Sequence, residues 1–102
     1  MKIVAVTGCP TGIAHTYMAA EQLEKTAKKL GYPIKVETQG AMGIENELSQ
    51  KDIDSADVAI LAADIALEGL ERFARIKTVK IPVQAAIKDP DGIFTKLGEV
   101  AK

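Results

Sequence analysis

Residues 8–16 read GCPTGIAHT, setting the chain's one thiol, Cys9, six residues before its one histidine, His15. The apolar spacing that follows makes this segment the entrance to a helix. A thiol at a helix N-terminus meets unpaired N–H groups and a partial positive charge. That field lowers its pKa and makes a thiolate nucleophile available near neutral pH. Gly12 lets backbone approach closely, Thr11 and Thr16 offer hydroxyls, and Pro10 fixes the chain direction without donating an N–H. A group carried on Cys9 is therefore expected to be an anion cradled by amides, most naturally a phosphoryl group. The competing reading makes Cys9 a small buried hydrophobe and His15 a surface or structural residue. Against it, a structural cysteine belongs inside a strand or helix, whereas Cys9 is flanked by Pro10, Thr11 and Gly12, and His15 falls in the helix's first turn.

The elements that must position this loop alternate along the chain. Residues 2–7 (KIVAVT) read as a strand apolar on both faces. From 13 to 30, apolar residues recur at Ile13, Tyr17, Ala20, Leu23, Ala27 and Leu30, a helical stripe. Gly31 suits the C′ position, and Tyr17 and Met18 are assigned to packing. Residues 33–38 (PIKVET) alternate as a half-buried strand, and 39–43 read as a glycine-punctuated loop. Ser49 and Asp52 suggest a capped short helix ending near Ala56, with Asp52, Asp54 and Asp57 solvated. Residues 57–63 form a second apolar strand, 67–74 a brief helix, and 77–83 an alternating strand containing Pro82. Asp89 and Pro90 then pair as N-cap and N1 of a final helix.

This alternation implies βαβ units, hence one α/β domain spanning residues 1–102 with helices on both faces of the sheet. Continuous apolar strands belong at the centre and alternating ones at the edges. The expectation is a four-stranded parallel sheet of order 2-1-3-4 in three layers. Ligands bind such sheets beyond the carboxyl ends of the strands, where the order reverses. That point borders Cys9, with Gln39, Gly40 and Asp64 at the same end as candidate site walls.

Composition narrows the function classes. The chain has 102 residues, 47% hydrophobic and 26% charged, so it can bury one modest core. Four per cent aromatics without Trp, and a net charge of -1, give no footprint for nucleic acid. The longest apolar run, six residues, is too short to span a bilayer, and the first residues are too short for a secretory signal. One Cys and one His make no disulfide and no Cys/His metal cluster. Together these imply a cytoplasmic, reduced, soluble domain without metal or cofactor.

Two known patterns resemble the first loop. The Cys9-to-His15 spacing matches the C-x5-R-[S/T] loop of low-molecular-weight tyrosine phosphatases, with His15 in place of the arginine and Thr16 following. Histidine lacks the guanidinium fork that clamps phosphate, so hydrolysis is not expected, and Asp89 or Asp91 imitates the phosphatase acid only weakly. The run CPTGIAHTYMAAE (9–21), continued through 35–65 and 71–73, resembles the fructose-specific enzyme IIB family of the bacterial phosphoenolpyruvate-dependent sugar phosphotransferase system. Gly8 stands where many members have alanine or another small residue.

The resemblance covers essentially the whole chain. It implies that Cys9 is a phosphocysteine, charged by a histidine-phosphorylated IIA protein and discharged to a sugar held by membrane component IIC. The activity would be that of a protein-phosphohistidine–sugar phosphotransferase, fructose being the family default. The phosphoryl oxygens would be held along Thr11, Gly12, Ile13, Ala14, His15 and Thr16, with His15 supporting the thiolate. The domain would work at the inner face of the membrane through IIC. A binding module that merely grips an anion is the remaining alternative.

Overall fold

The computed structural model describes residues 1–8, 13–40, 43–64 and 67–100, with positions 13, 14 and 100 taken as backbone only. Five strands, Ile3–Gly8 (β1), Ile34–Gly40 (β2), Gly43–Glu45 (β3), Val58–Ala63 (β4) and Lys77–Ile81 (β5), form one sheet of order β3-β2-β1-β4-β5. β2, β1, β4 and β5 are parallel, and β3 runs antiparallel to β2. The expected four-stranded parallel sheet is thus corrected to a mixed sheet of five. Its parallel part keeps the anticipated order, and the addition is the β2–β3 hairpin, which occupies the stretch expected to be a loop. β2 extends through Gln39 and Gly40, and Gly43 (φ +90°) opens β3.

Strand parity divides the core in two. Ile3, Ala5, Val36, Val58, Ile60 and Val79 face helices Ile13–Leu30 (α1), Val83–Lys88 (α3) and Pro90–Val100 (α4). Val4, Val6, Ala59 and Leu61 face the other way, under helix Gln50–Asp54 (α2) and a 3-10 turn at Leu70–Phe73. β1 is buried at all six positions, as a central parallel strand covered on both faces must be.

The helix ends follow their sequence signals. α1 closes in a Schellman arrangement: Gly31 has φ +78°, its N–H reaches the Lys28 carbonyl, and the Tyr32 N–H reaches that of Ala27. Ser49 and Asp52 form a reciprocal capping box on α2, and the Asp89 carboxylate accepts from the Gly92 N–H to cap α4. Lys35 and the Ser49 cap hold the Asp52 carboxyl well below the ordinary range.

Three readings of the periodicity are corrected. Tyr17 and Met18 are not packed: they are 39% and 46% exposed, because Thr16, Ala19 and Ala20 take the buried side of α1. Leu30 is exposed as well. Finally, β5 stops at Ile81, and Pro82 caps a helix, α3, where the last strand was expected to continue.

Candidate functional site

β1 and β4 lie side by side to their ends, with Gly8 opposite Ala63. β2 lies on β1's other side, so the chain order reverses at β1. α1 starts at this carboxyl end and runs back over the sheet. Its first turn contains no carboxylate and its last turn carries Lys28 and Lys29, so its charges reinforce the helix dipole and leave the N-terminus open to an anion. Cys9, Pro10, Thr11 and Gly12 lie outside the described residues, as do the side chains of Ile13 and Ala14. In the chain they connect Gly8, the last residue of β1, to Ile13, the first of α1.

Among the described candidates, His15, Thr16, Gln39, Gly40 and Asp64 all stand at this end. His15 is exposed on the first turn. Thr16 is buried, its carbonyl accepts from the Thr7 hydroxyl at 3.1 Å, and its own hydroxyl has no partner among the described residues. A β-carbon on Gly40 would lie 3.9 Å from that hydroxyl, which brings the end of β2 against the first turn of α1. The Thr38 hydroxyl, on the same face of β2, is also buried without a partner among the described residues. A buried hydroxyl left unpaired costs about 1–3 kcal/mol, so the Thr16 hydroxyl, in the first turn of α1, is one that an incoming acceptor would satisfy.

Asp64 holds the frame. Its N–H donates to the Gly8 carbonyl at 3.1 Å, and its carboxylate accepts from the Val83 N–H at 3.3 Å. It thereby caps α3, whose N-cap Pro82 offers no side-chain hydrogen bond.

Gln39 does not join Thr16. Its side chain lies on the α2 face, where its amide donates to the Glu68 carbonyl at 3.0 Å and its oxygen accepts from the Glu68 N–H at 2.8 Å. It stitches the segment after β4 to the end of β2. Beneath it lies an ion pair that sequence reasoning missed. Glu37 is fully buried and takes both arms of the Arg72 guanidinium, at 2.8 and 3.0 Å, together with Gln39 and the Leu48 N–H. Burial alone would push the Glu37 carboxyl up. Hydrogen bonds from Arg72, Gln39 and the Leu48 amide outweigh it and hold the group below its ordinary value. Arg72 also binds the Leu48 and Gly69 carbonyls. Gly69 has φ +73°, and a β-carbon there would come within 2.7 Å of the guanidinium, so the position calls for glycine twice over. The signal for this pair was a glutamate inside an otherwise strand-like run, which an outward-facing assignment absorbed.

Tyr17 was missed in the same way. Its hydroxyl donates to Glu45 on β3, which raises the phenol pKa and ties α1 to the β2–β3 hairpin.

Known proteins share this fold and much of this sequence. Residues 4–96 match the family described as PTS system, Lactose/Cellobiose specific IIB subunit. The chain is 52% identical over 96 residues to the PTS system fructose-like EIIB component 2 of Escherichia coli, covering 94% of this chain and 91% of that one. It is 48% identical to part of the fructose-specific EIIABC component of Bacillus subtilis, over 93% of this chain and 15% of the longer protein. A crystal structure described as a predicted fructose-specific IIB from Escherichia coli superposes with a TM-score of 0.94 at 44% identity, covering 99% of this chain and 89% of the other.

Proposed function

The chain belongs to the IIB family of the phosphotransferase system, among its fructose-like EIIB components, and on that premise we propose that Cys9 is its phosphoryl-carrying residue. The observation that supports the reading is that β1 ends at Gly8 and α1 begins at Ile13, so that residues 9–12 connect the two in the chain. There a thiolate and its phosphate would face helix amides at the switch point.

In the first step the Cys9 thiolate attacks the phosphorus of a phosphohistidine on IIA. The S–P bond forms as the P–N bond breaks, and the departing imidazole takes up a proton. In the second, a hydroxyl of the sugar held by IIC attacks the same phosphorus, the S–P bond breaks, and the hydroxyl proton is lost to solvent or a base. Both are in-line transfers that ask for positioning and charge stabilisation rather than covalent chemistry from the protein. The amides of Thr11, Gly12, Ile13, Ala14, His15 and Thr16 would hold the equatorial oxygens, and His15 would steady the thiolate when protonated. The unpaired Thr16 hydroxyl would find its acceptor in the thiolate or the phosphate. Gly40 and Asp64 would wall the pocket, and Gln39 would fix the wall's backbone. No step calls for a metal or cofactor.

The sugars named among the relatives differ, lactose or cellobiose in one name and fructose in others, and IIC would make that choice. Relatives whose names join B to C, or A, B and C, support IIA and IIC as partners, and so a place at the cytoplasmic face of the membrane.

The test is incubation with a histidine-phosphorylated IIA followed by peptide mapping. Phosphate on Cys9, lost in Cys9→Ser with the fold intact, is the expected result. Normal sugar phosphorylation by Cys9→Ser would sink the reading. Turnover of para-nitrophenyl phosphate that vanishes in Cys9→Ser would select a phosphatase instead.

A further inference from the structure

The segment that leaves β4 is bonded to both strands that matter at the site. At its start, the Asp64 N–H donates to the carbonyl of Gly8, the last residue of β1. Four residues on, the main chain of Glu68 is held in both directions by the buried Gln39 side chain of β2. Gln39 lies one residue beyond Thr38, the register partner of Thr7, so it stands level with the end of β1. Because β1 lies between β2 and β4, these two attachments flank the point where the chain departs for Cys9. Gln39 acts from the α2 face, opposite α1.

The network under Gln39 fixes its orientation. Its amide nitrogen also donates to the Glu37 carboxylate at 2.7 Å, which only accepts, so the amide cannot turn its oxygen to that side. Glu37 is held in turn by Arg72 and the Leu48 N–H. The guanidinium also donates to the carbonyls of Leu48, Glu68 and Gly69. A polar network satisfied in this way rigidifies the segments it joins. A buried ion pair is on balance no more stabilising than well-packed apolar residues, so stability alone does not account for one at this end of the sheet.

We propose that Gln39 is a positioning residue for phosphoryl transfer: without touching the phosphoryl group, it clasps Glu68 so that Asp64 keeps its bond to Gly8 and the chain enters Cys9 in one fixed direction. The inference rests on the carrier reading above and adds the residue that sets the carrier's geometry from the face opposite α1. In-line transfer depends on the direction of attack, so a misdirected thiolate loses rate rather than affinity.

The experiment uses the histidine-phosphorylated IIA portion of the Bacillus subtilis EIIABC component as donor and works well below the melting temperature of each variant. Gln39→Met removes both bonds to Glu68 at nearly constant volume and leaves Glu37 its bonds from Arg72 and Leu48. Its kcat for phosphoryl acceptance is expected to fall about tenfold or more, with KM for the donor unchanged. The midpoint of Cys9 alkylation against pH should rise toward the ~8.5 of a free thiol, a shift that lost stability does not produce in a folded variant. In a cycle with Asp64→Ala, the two losses in kcat should be less than additive, since both loosen one segment. If Gln39→Met does not fold, Gln39→Asn takes its place with the same expectations, keeping an amide one methylene short of Glu68. An unchanged kcat, an unchanged thiol midpoint, a loss confined to KM or full additivity with Asp64→Ala each overturns the positioning role and leaves the carrier reading standing. A wild type that never becomes phosphorylated on Cys9 counts against the carrier reading itself.

Discussion

The main-chain N–H of Asp64 is bonded to the carbonyl of Gly8, and the same residue's carboxylate is bonded to the first turn of α3. Asp64 thus joins the strand end that leads into Cys9 to a helix on the far side of β4. The two bonds divide its role: the main-chain bond holds β1, and the side-chain bond holds the orientation from which it does so. Asp64→Ala should cost about 1 kcal/mol, the usual worth of a cap, and slow phosphoryl acceptance. Asp64→Asn, which keeps the accepting oxygen, should restore most of both. Thermal melts and donor kinetics on the pair check this, and equal kinetics for Ala and Asn would refute it.

Thr16 offers a cleaner separation of stability from function. Thr16→Val keeps the β-branched shape while removing an unpaired buried hydroxyl, so the fold should be unharmed or gain up to about 1–3 kcal/mol. If that hydroxyl serves the thiolate or phosphate, transfer should fall by about 10- to 100-fold, the value of a charge-assisted hydrogen bond. A valine variant with normal transfer would leave the hydroxyl without a role.

The Glu37–Arg72 pair predicts an acid-sensitive fold. The folded pKa of Glu37 is depressed, so its stabilisation is fully present above the unfolded value, about 4.3, and is lost as pH falls through the lower folded value. Melting temperature should therefore drop on acidification below about pH 4, and less so in Glu37→Gln. Arg72→Met strands a buried carboxylate and should cost about 3–5 kcal/mol. The paired change Glu37→Leu/Arg72→Met should recover most of that loss. A pH-independent melt in this range would contradict the assignment.

Cys9 acidity can be read by alkylation. In the proposed carrier, where its thiolate meets the α1 amides, its pKa is expected below the ~8.5 of a free thiol. His15→Ala should raise it modestly. A wild-type midpoint at or above that of a free thiol would show that the loop does not activate its cysteine.

How much of this was legible beforehand follows from what each residue's neighbours in sequence could reveal. α1 and its Gly31 stop, the Ser49–Asp52 box and the Asp89–Pro90 start are local devices, complete within a few residues, and each formed as read. The order of the parallel strands was legible because burial on both faces writes itself as an unbroken apolar run. Glu37 was not legible, because its partner lies 35 residues on and the helix covering its face is only five residues long. Tyr17 was misplaced because helical periodicity counts apolar residues, whereas the buried side here holds Thr16 against Gly40. α3 was hidden by Pro82, which served as a strand residue in one reading and is a helix cap in the other.

The hairpin at one margin of the sheet has a consequence for life in a crowded cell. A bare edge of β2, with its row of amides and carbonyls, would be a template for pairing with another molecule. β3 covers that edge with three residues, all exposed and one of them charged, and the chain then turns away through Asn46 at φ +54°. The other margin, β5, carries Lys77 and Lys80 and is followed at once by Pro82. Both borders are thus poor seeds for strand addition, so the domain can stand at high concentration without polymerising along its sides.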